Sequence, residues 1–116
     1  MSVVVGLSKT AEGAAALARG AEEAALRGEA LEVVEMEDGA VAAVTLPAGA
    51  TVLPGQEHQD RVQVLLDACA SRSVVLLVIG TRRRTSVGKF LLGSQAQRVL
   101  LEADVPVLVV KAPRAA

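Results

Sequence analysis

Aromatic residues are almost absent from this sequence of 116 residues: Phe90 is the only one, and there is no Trp or Tyr. Proteins that hold single-stranded nucleic acids stack bases on aromatic rings, and each stacked base contributes about 1–3 kcal/mol. An excess of charge of one sign is lacking as well, because 12 basic and 13 acidic residues leave a formal net charge of −1. We therefore expect neither a nucleic acid nor a membrane as a partner.

Cysteine and long apolar runs are also scarce. Cys69 is the single cysteine, which excludes an intramolecular disulfide framework and a zinc site built from several cysteines. The longest apolar run covers residues 74–79, far fewer than the roughly 18 residues of a membrane-spanning helix. The opening MSVVVGLSKT lacks the basic start and apolar stretch of a secretory signal. These features predict a cytoplasmic protein.

Short apolar runs alternate with helical repeats along the chain. The runs predict β-strands at residues 3–5, 30–36, 50–53, 74–79 and 107–110. Apolar residues spaced three and four apart predict one helix that begins after Thr10 and ends at Gly28, a second around residues 62–69 and a third around residues 96–103, ended by Pro106. Gly13 and Gly20 should weaken the first helix.

This order of elements is typical of the α/β class. We predict an open, mostly parallel five-stranded sheet with helices on both faces, because consecutive strand–helix–strand units cross over in a right-handed sense. With 52% hydrophobic residues, the chain has the size and composition of one globular domain. We expect that domain to cover residues 1–111 and residues 112–116 to form a disordered tail.

Residues suited to phosphate binding follow the strand at 74–79. The segment GTRRRTSVGKFLLGS, from Gly80 to Ser94, combines glycines, hydroxyls and four cations just before a helix. Glycine lets a backbone approach a ligand closely, and the free N–H groups at a helix start favour an anion. The pattern predicts that Gly93, Ser94 and Gln95 lie at a phosphate, with the arginines nearby. The plainer alternative is a solvated basic loop in which Ser94 caps the helix.

Other polar residues have plainer interpretations. His58 has no companions for a metal or an acid–base role, and Cys69 falls on an apolar helical stripe, where a buried thiol is expected. Glu35 and Glu37 flank Met36 and suggest a carboxylate pair, although a solvated strand end is the simpler explanation. We predict no catalytic residue and no metal site.

The motifs of the second half resemble the universal stress protein family. In that family a strand is followed by G-x2-G-x9-G-[ST], a helix and a strand often containing P-V-L-V-V. This chain has VVLLVIG, GTRRRTSVGKFLLGS, QAQRVLLEAD and VPVLVVK in that order, without a gap over residues 74–111. The first half resembles the opening strand–helix–strand of the family, so only residues 37–49 fall outside the resemblance.

The resemblance implies an adenine-nucleotide site. The glycines and the hydroxyl of the motif fall on Gly80, Gly93 and Ser94, while Arg83 stands where the family has the second glycine. Ser8 stands where the family commonly has Asp, and Met36 falls on the adenine wall. The complete set expected at the nucleotide is Gly6, Ser8, Met36, Gly80, Arg82, Arg83, Gly88, Gly93, Ser94 and Gln95.

The resemblance also implies a homodimer. The last strand of the family commonly pairs with its twin, and here that strand contains Val107, Leu108, Val109 and Val110. The family has a helix between its second and third strands, which is missing or vestigial in this chain. Apolar surface would then be exposed unless Val41, Val44 and Leu46, or a partner subunit, cover it, which is a second reason to expect an oligomer.

Two functions remain open from the sequence. The first is a non-catalytic stress-response module that binds ATP or a related adenine nucleotide, with at most a very weak ATPase activity and with Mg²⁺ only if ATP is bound. The second is a ligand-free dimeric structural or protein-interaction domain, which Ser8 and Arg83 favour. An enzyme such as a nucleotidyl transferase is disfavoured, because the HxGH-type motif of that class is absent.

Overall fold

The computed structural model describes residues 1–55, 60–82 and 92–113 of the chain. The secondary structure elements follow the predicted order. They are β1 (Ser2–Leu7), α1 (Ala11–Arg27), β2 (Ala30–Glu35), β3 (Thr51–Val52), α2 (Arg61–Ser71), β4 (Val74–Thr81), α3 (Ser94–Glu102) and β5 (Val107–Lys111). No helix in the described ranges is long and apolar enough to cross a membrane.

All five strands are parallel and stand in the order β3-β2-β1-β4-β5. The chain therefore starts in the middle of the sheet, extends it to one side and then to the other. The direction of winding reverses between β1 and β4, and in open sheets of this kind ligands bind beyond the carboxyl ends of the strands at such a point. The predicted fold class is confirmed.

The sheet separates two apolar layers. Successive side chains of a strand point to opposite faces, so the four central residues of β1 divide between the layers. Val3 and Val5 pack in the layer that contains α1. Val4 packs in the other layer, with Leu65 of α2 and Val99 of α3. The helices thus lie on both faces, as predicted.

The segment between β2 and β3 contains turns and no helix, as the sequence predicts. Ala40 in this segment is completely buried, and Val41, Val44 and Leu46 pack against the same layer as α1. The loop itself therefore covers the face of the sheet that a helix would have covered. Uncovered surface at this place is no longer an argument for an oligomer.

Helix α1 lies unusually close to the sheet. Its predicted caps are confirmed: the Thr10 hydroxyl accepts a hydrogen bond from the Gly13 N–H at 3.0 Å, and Gly28 ends the helix at φ 64°. A Cβ atom at Gly20 would lie 2.3 Å from Cγ2 of Val5, and one at Gly13 would lie 2.2 Å from the carbonyl oxygen of Ser8. The two glycines that weaken the isolated helix thus permit its packing in the fold.

The sequence predicts that β4 ends before Gly80, but the strand continues through this residue to Thr81. A Cβ atom at Gly80 would lie only 2.2 Å from the carbonyl oxygen of Glu12, so the first turn of α1 rests on this glycine.

The apolar spacing of the third helix predicts that Leu100 lies on its buried stripe, but this residue is 42% exposed. Val99 is the only fully buried residue of that helix.

We predict that Gly80→Ala destabilises the protein, because the added methyl group must displace the backbone of α1. Overpacking of this kind costs about 1–3 kcal/mol of unfolding free energy. Urea unfolding followed by circular dichroism measures the change. Gly55→Ala is the control, since a Cβ atom there meets none of the described residues within 4 Å. Equal stability of the two variants would contradict the close approach of α1.

An ion pair between a buried carboxylate and a half-exposed guanidinium joins the far end of α2 to β2. Glu32 is 5% exposed, and its carboxylate accepts from Arg72 at 3.1 Å (Nε to Oε1) and 2.5 Å (Nη2 to Oε2). Burial alone would raise the pKa of Glu32, but hydrogen bonds from Ser2 and Arg72 and the nearby positive charges together lower it. The carboxylate is therefore charged at neutral pH.

The lowered pKa fixes the sign of a pH dependence. A carboxyl group whose pKa is lower in the folded state stabilises the protein above its unfolded-state pKa, and this contribution is lost as the pH falls through the folded value. We predict that Arg72→Met lowers the unfolding free energy by about 1–3 kcal/mol at pH 7, because it strands a buried charge.

This loss should shrink as the pH falls below the ordinary carboxyl pKa of about 4 and then through the lower pKa of Glu32 in the folded protein. Urea titrations of wild type and Arg72→Met at pH 7 and pH 3.5 measure it. Arg19→Met is the control, since half-exposed Arg19 pairs with Glu23 on the surface of α1. A difference between wild type and Arg72→Met that is independent of pH would show that the ion pair does not stabilise the fold.

Candidate functional site

Two adjoining cavities open at the carboxyl edge of the sheet, between β1, β4 and α3. The inner one is lined by Gly6, Ser8, Met36, Ile79, Gly80, Gln95, Ala96 and Val99. The outer one has a volume of about 540 Å³ and is lined by Ser8, Thr10, Glu12, Glu37, Gly80, Thr81, Arg82, Leu92, Gly93, Gln95 and Ala96. The two share four lining residues and form one cleft at the point where the strand order reverses.

The inner cavity is mainly apolar. Met36 follows the last residue of β2, and its N–H still donates to the Leu7 carbonyl at 2.8 Å, which holds it beside the end of β1. A Cβ atom at Gly6 would lie 3.3 Å from the Met36 sulfur, so the thioether packs directly over this glycine. Ile79 and Val99 complete the apolar lining. Such a surface suits a flat, largely apolar group.

The outer cavity is polar. The Ser8 and Thr10 hydroxyls lie 2.8 Å apart in a hydrogen bond, in the turn between β1 and α1. Gly13 keeps this turn close to α1, because a side chain there would strike the Ser8 backbone. Thr81 and exposed Arg82 approach from the end of β4. Hydroxyls and a guanidinium are donors suited to an anion.

Helix α3 begins at the mouth of the cleft. Gly93 is its N-cap, with φ −61° and ψ 158°, and no side-chain hydrogen bond caps the helix in the described part of the chain. Ser94 is the first helical residue and not the cap, so the plainer interpretation of Ser94 is wrong. A Cβ atom at Gly93 would meet none of the described residues within 4 Å. Within the described part of the chain, nothing blocks the approach to the first N–H groups of α3.

Two carboxylates line the outer cavity, although the sequence did not indicate either of them as a nucleotide contact. Glu12 lies in the first turn of α1, and Glu37 follows Met36. Glu37 accepts from the Lys9 N–H at 2.5 Å, whereas Glu35 accepts from the Val41 N–H at 2.9 Å. The suspected carboxylate pair is thus two separate loop contacts. Glu12 and Glu37 follow β1 and β2 at the edge of the sheet where ligands bind. This placement was the signal in the sequence that could have indicated them.

Most of the residues expected at the nucleotide lie together in the cleft. Those that line it are Gly6, Ser8, Met36, Gly80, Arg82, Gly93 and Gln95. Ser94 lines neither cavity, although it adjoins two residues that do. Arg83 and Gly88 lie outside the described residues, as does His58. Sequence reasoning missed Ile79 and Val99, which the alternation along β4 and the apolar stripe of α3 could have indicated.

Cys69 lies away from the cleft, in the layer between α2 and the sheet. Burial raises the pKa of its thiol to about 11, so the group is protonated at neutral pH. Only a thiolate is an effective nucleophile. Cys69 is therefore a packing residue, as the sequence predicts.

Comparison with known sequences decides the family. The sequence profile of the universal stress protein family matches residues 35–111. A universal stress protein of Mycolicibacterium smegmatis is 39% identical over 125 aligned positions, which cover 94% of this chain and 96% of the relative. The chain belongs to the universal stress protein family. The resemblance seen in its motifs is confirmed over both halves of the sequence.

Solved universal stress proteins have the same fold. The protein from Archaeoglobus fulgidus superposes with a TM-score of 0.76 at 28% identity, covering 96% of this chain and 98% of that one. A structure of the universal stress protein from the same organism in complex with dAMP gives a TM-score of 0.70 at 25% identity, with the same coverage. The short segment between β2 and β3 leaves the family fold intact.

Proposed function

We propose that this universal stress protein binds an adenine nucleotide in the cleft and acts as a non-catalytic stress-response module of the cytoplasm. One observation carries the proposal: the cleft joins an apolar inner cavity to a helix start that no described side chain caps or covers. A nucleotide has the same two parts, a flat base and a charged phosphate. The Archaeoglobus fulgidus relative that was solved with dAMP supports the choice of adenine.

The base belongs in the inner cavity. Met36, Ile79 and Val99 offer it apolar contacts, and the Met36 sulfur lies over Gly6, where it can touch a ring. Contacts between a thioether and an aromatic ring contribute about 0.3–1.5 kcal/mol. Because the chain has no Tyr or Trp and the described lining residues include no aromatic ring, the thioether takes the place of a stacking partner in this proposal.

The phosphate belongs at the start of α3. The N–H groups of its first turn carry the positive end of the helix dipole, and Gly93 leaves room for oxygen atoms beside them. Arg82 and the Ser8 hydroxyl lie in the same cavity and can donate to those oxygens. Arg83, Gly88 and Ser94 complete the proposed set.

Glu12 and Glu37 bear on which nucleotide fits. Two carboxylates in the outer cavity repel a chain of phosphates more than they repel one phosphate. We therefore place nucleoside monophosphates among the ligands to be tested, beside ATP. Mg²⁺ enters only with ATP, and at most a very weak ATPase activity is expected, because the proposal requires binding and no turnover.

We predict that Gly93→Asp separates stability from binding. An Asp N-cap should raise the stability of the free protein by a few tenths of a kcal/mol, since Asp is a better cap than Gly. Its charge would occupy the proposed phosphate position, so the affinity for AMP should fall by about tenfold or more. Isothermal calorimetry with AMP, dAMP, ATP and adenosine measures the affinities, and thermal unfolding measures the stability.

Gly93→Asn is the matched control, because it has the same size and capping ability without the charge. The two variants should bind adenosine equally, and only AMP should distinguish them. Equal AMP affinities would place the phosphate elsewhere. If the wild-type protein binds none of the four ligands, the nucleotide proposal fails and the ligand-free interaction domain takes its place.

We further propose that two copies pair through β5. This strand stands at the end of the strand order, and its residues Val107–Val110 are half-buried on both faces. Because the Leu77 N–H donates to the Pro106 carbonyl, the parallel ladder turns the backbone groups of Leu108 toward β4 and those of Val109 outward. The outward groups are available for pairing with a second copy.

We predict that Val109→Pro yields a folded monomer, since it removes an outward N–H group and no ladder bond. Sedimentation of wild type and variant measures the mass. Leu108→Pro is the contrasting variant and should unfold the edge, because its N–H faces β4. A wild-type protein that sediments as a monomer, or a Val109→Pro protein that stays dimeric, would refute pairing through β5.

A further inference from the structure

The first turn of α2 is connected to both walls of the cleft, although it lines neither cavity. Asp60 is the N-cap of α2 and Arg61 is its first residue. Each of these neighbours makes an ionic contact to a different element. Arg61 reaches the loop that follows β2, and Asp60 reaches α3.

Arg61 holds the backbone beside Met36. Its guanidinium is largely enclosed, at 19% exposure, and donates from Nη1 to the Glu35 carbonyl at 2.9 Å. It also pairs with Asp38, on the other side of Met36 along the chain. The peptide that carries Met36 is therefore fixed both before and after the residue that lines the inner cavity.

Asp60 holds α3 with the oxygen that it does not use as a cap. Oδ1 accepts from the N–H groups of Val62 at 3.0 Å and Gln63 at 3.4 Å, while Oδ2 accepts from Nη1 of Arg98 at 2.5 Å. Arg98 also donates from Nη2 to the Gln63 side chain at 3.0 Å. One guanidinium of α3 is thus bound to both the N-cap and the first turn of α2.

Among the described residues, few other side chains fix α3 against the sheet or against α2. Val99 is its only fully buried residue, and Leu101 on its outer side is 85% exposed. The hydrogen bond to Arg98 lowers the pKa of Asp60, and the bond to Asp60 raises the pKa of Arg98, so both are charged at neutral pH. The bridge therefore joins two charged groups and connects α3 to the first turn of α2.

We infer that Asp60 and Arg61 are positioning residues that set the two walls of the cleft at the spacing a nucleotide requires. Arg61 acts on the wall at Met36, and Asp60 acts through Arg98 on the wall at Gly93 and Gln95. The inference rests on the proposed function, because it assigns these residues to that site. They touch no ligand themselves.

The affinities of adenosine and AMP test each arm. Arg61→Met should weaken both ligands equally, by about tenfold, because a charged hydrogen bond that fixes the base wall is lost. Asp60→Asn keeps the capping oxygen and loses the charge that faces Arg98. It should weaken AMP by about fivefold, the upper range for an exposed ion pair, and weaken adenosine less. A general loss of stability would weaken both ligands alike. In Asp60→Asn, a change in the ratio of AMP affinity to adenosine affinity therefore distinguishes positioning from destabilisation.

Glu102→Gln is the matched control for Asp60→Asn. It removes another contact of Arg98, the bond from Nε to Glu102 at 3.1 Å, but this bond lies within α3 and does not bridge two helices. Its AMP-to-adenosine ratio should equal that of the wild type. Wild-type ratios in Asp60→Asn, or wild-type affinities in Arg61→Met, would overturn the inference while leaving the proposed function intact.

Hydrogen exchange of the ligand-free protein distinguishes a failure of this inference from a failure of the proposed function. In Asp60→Asn, the amides of residues 94–102 should exchange about fivefold faster than in the wild type, and in Glu102→Gln they should not. If the wild type binds neither ligand, the proposed function fails, and this exchange experiment alone decides whether the bridge positions α3. Unchanged exchange in Asp60→Asn would show that it does not.

Discussion

The close contact between α1 and the sheet is the constraint on which the cleft depends. Gly20 lets the helix approach Val5, Gly13 lets it approach the Ser8 turn, and Gly80 lets its first turn rest on the end of β4. Each of these contacts is too short for any side chain, so the position of α1 has little freedom. As a result, Ser8, Glu12 and Gly80 meet at one place, and that place is the floor of the outer cavity.

This constraint divides the glycines of the family motif into two kinds. Gly80 has no room for a Cβ atom because the Glu12 backbone lies against it, so packing alone explains a glycine there. Gly93 has none of the described residues within 4 Å of such an atom, so their packing does not require a glycine, and access to the start of α3 is the reason that the proposed ligand supplies. One motif thus combines a requirement of the fold with a requirement of the proposed ligand.

Local signals made the fold predictable, and long-range contacts limited the prediction of the site. Thr10 and Gly28 mark the ends of α1 by interactions within a few residues, and the apolar run at 74–79 identifies a central strand without reference to the rest of the chain. Glu12 and Glu37 become neighbours in the cleft only when β1 and β2 pair. Gly93 is the cap in place of Ser94 because the helix starts one residue earlier than the sequence suggests.

Helix α3 has one buried residue among those described, and this limited burial bears on the affinity of the proposed site for its ligand. A ligand that binds only the docked position of a helix has its apparent dissociation constant increased by the inverse of the docked fraction. Val99 is the one buried residue of α3, and we infer that the exposed bridge between Arg98 and Asp60 helps to maintain that fraction. Because exposed ion pairs are screened by salt, nucleotide affinity in this protein should depend on ionic strength through the position of α3 as well as through the phosphate itself.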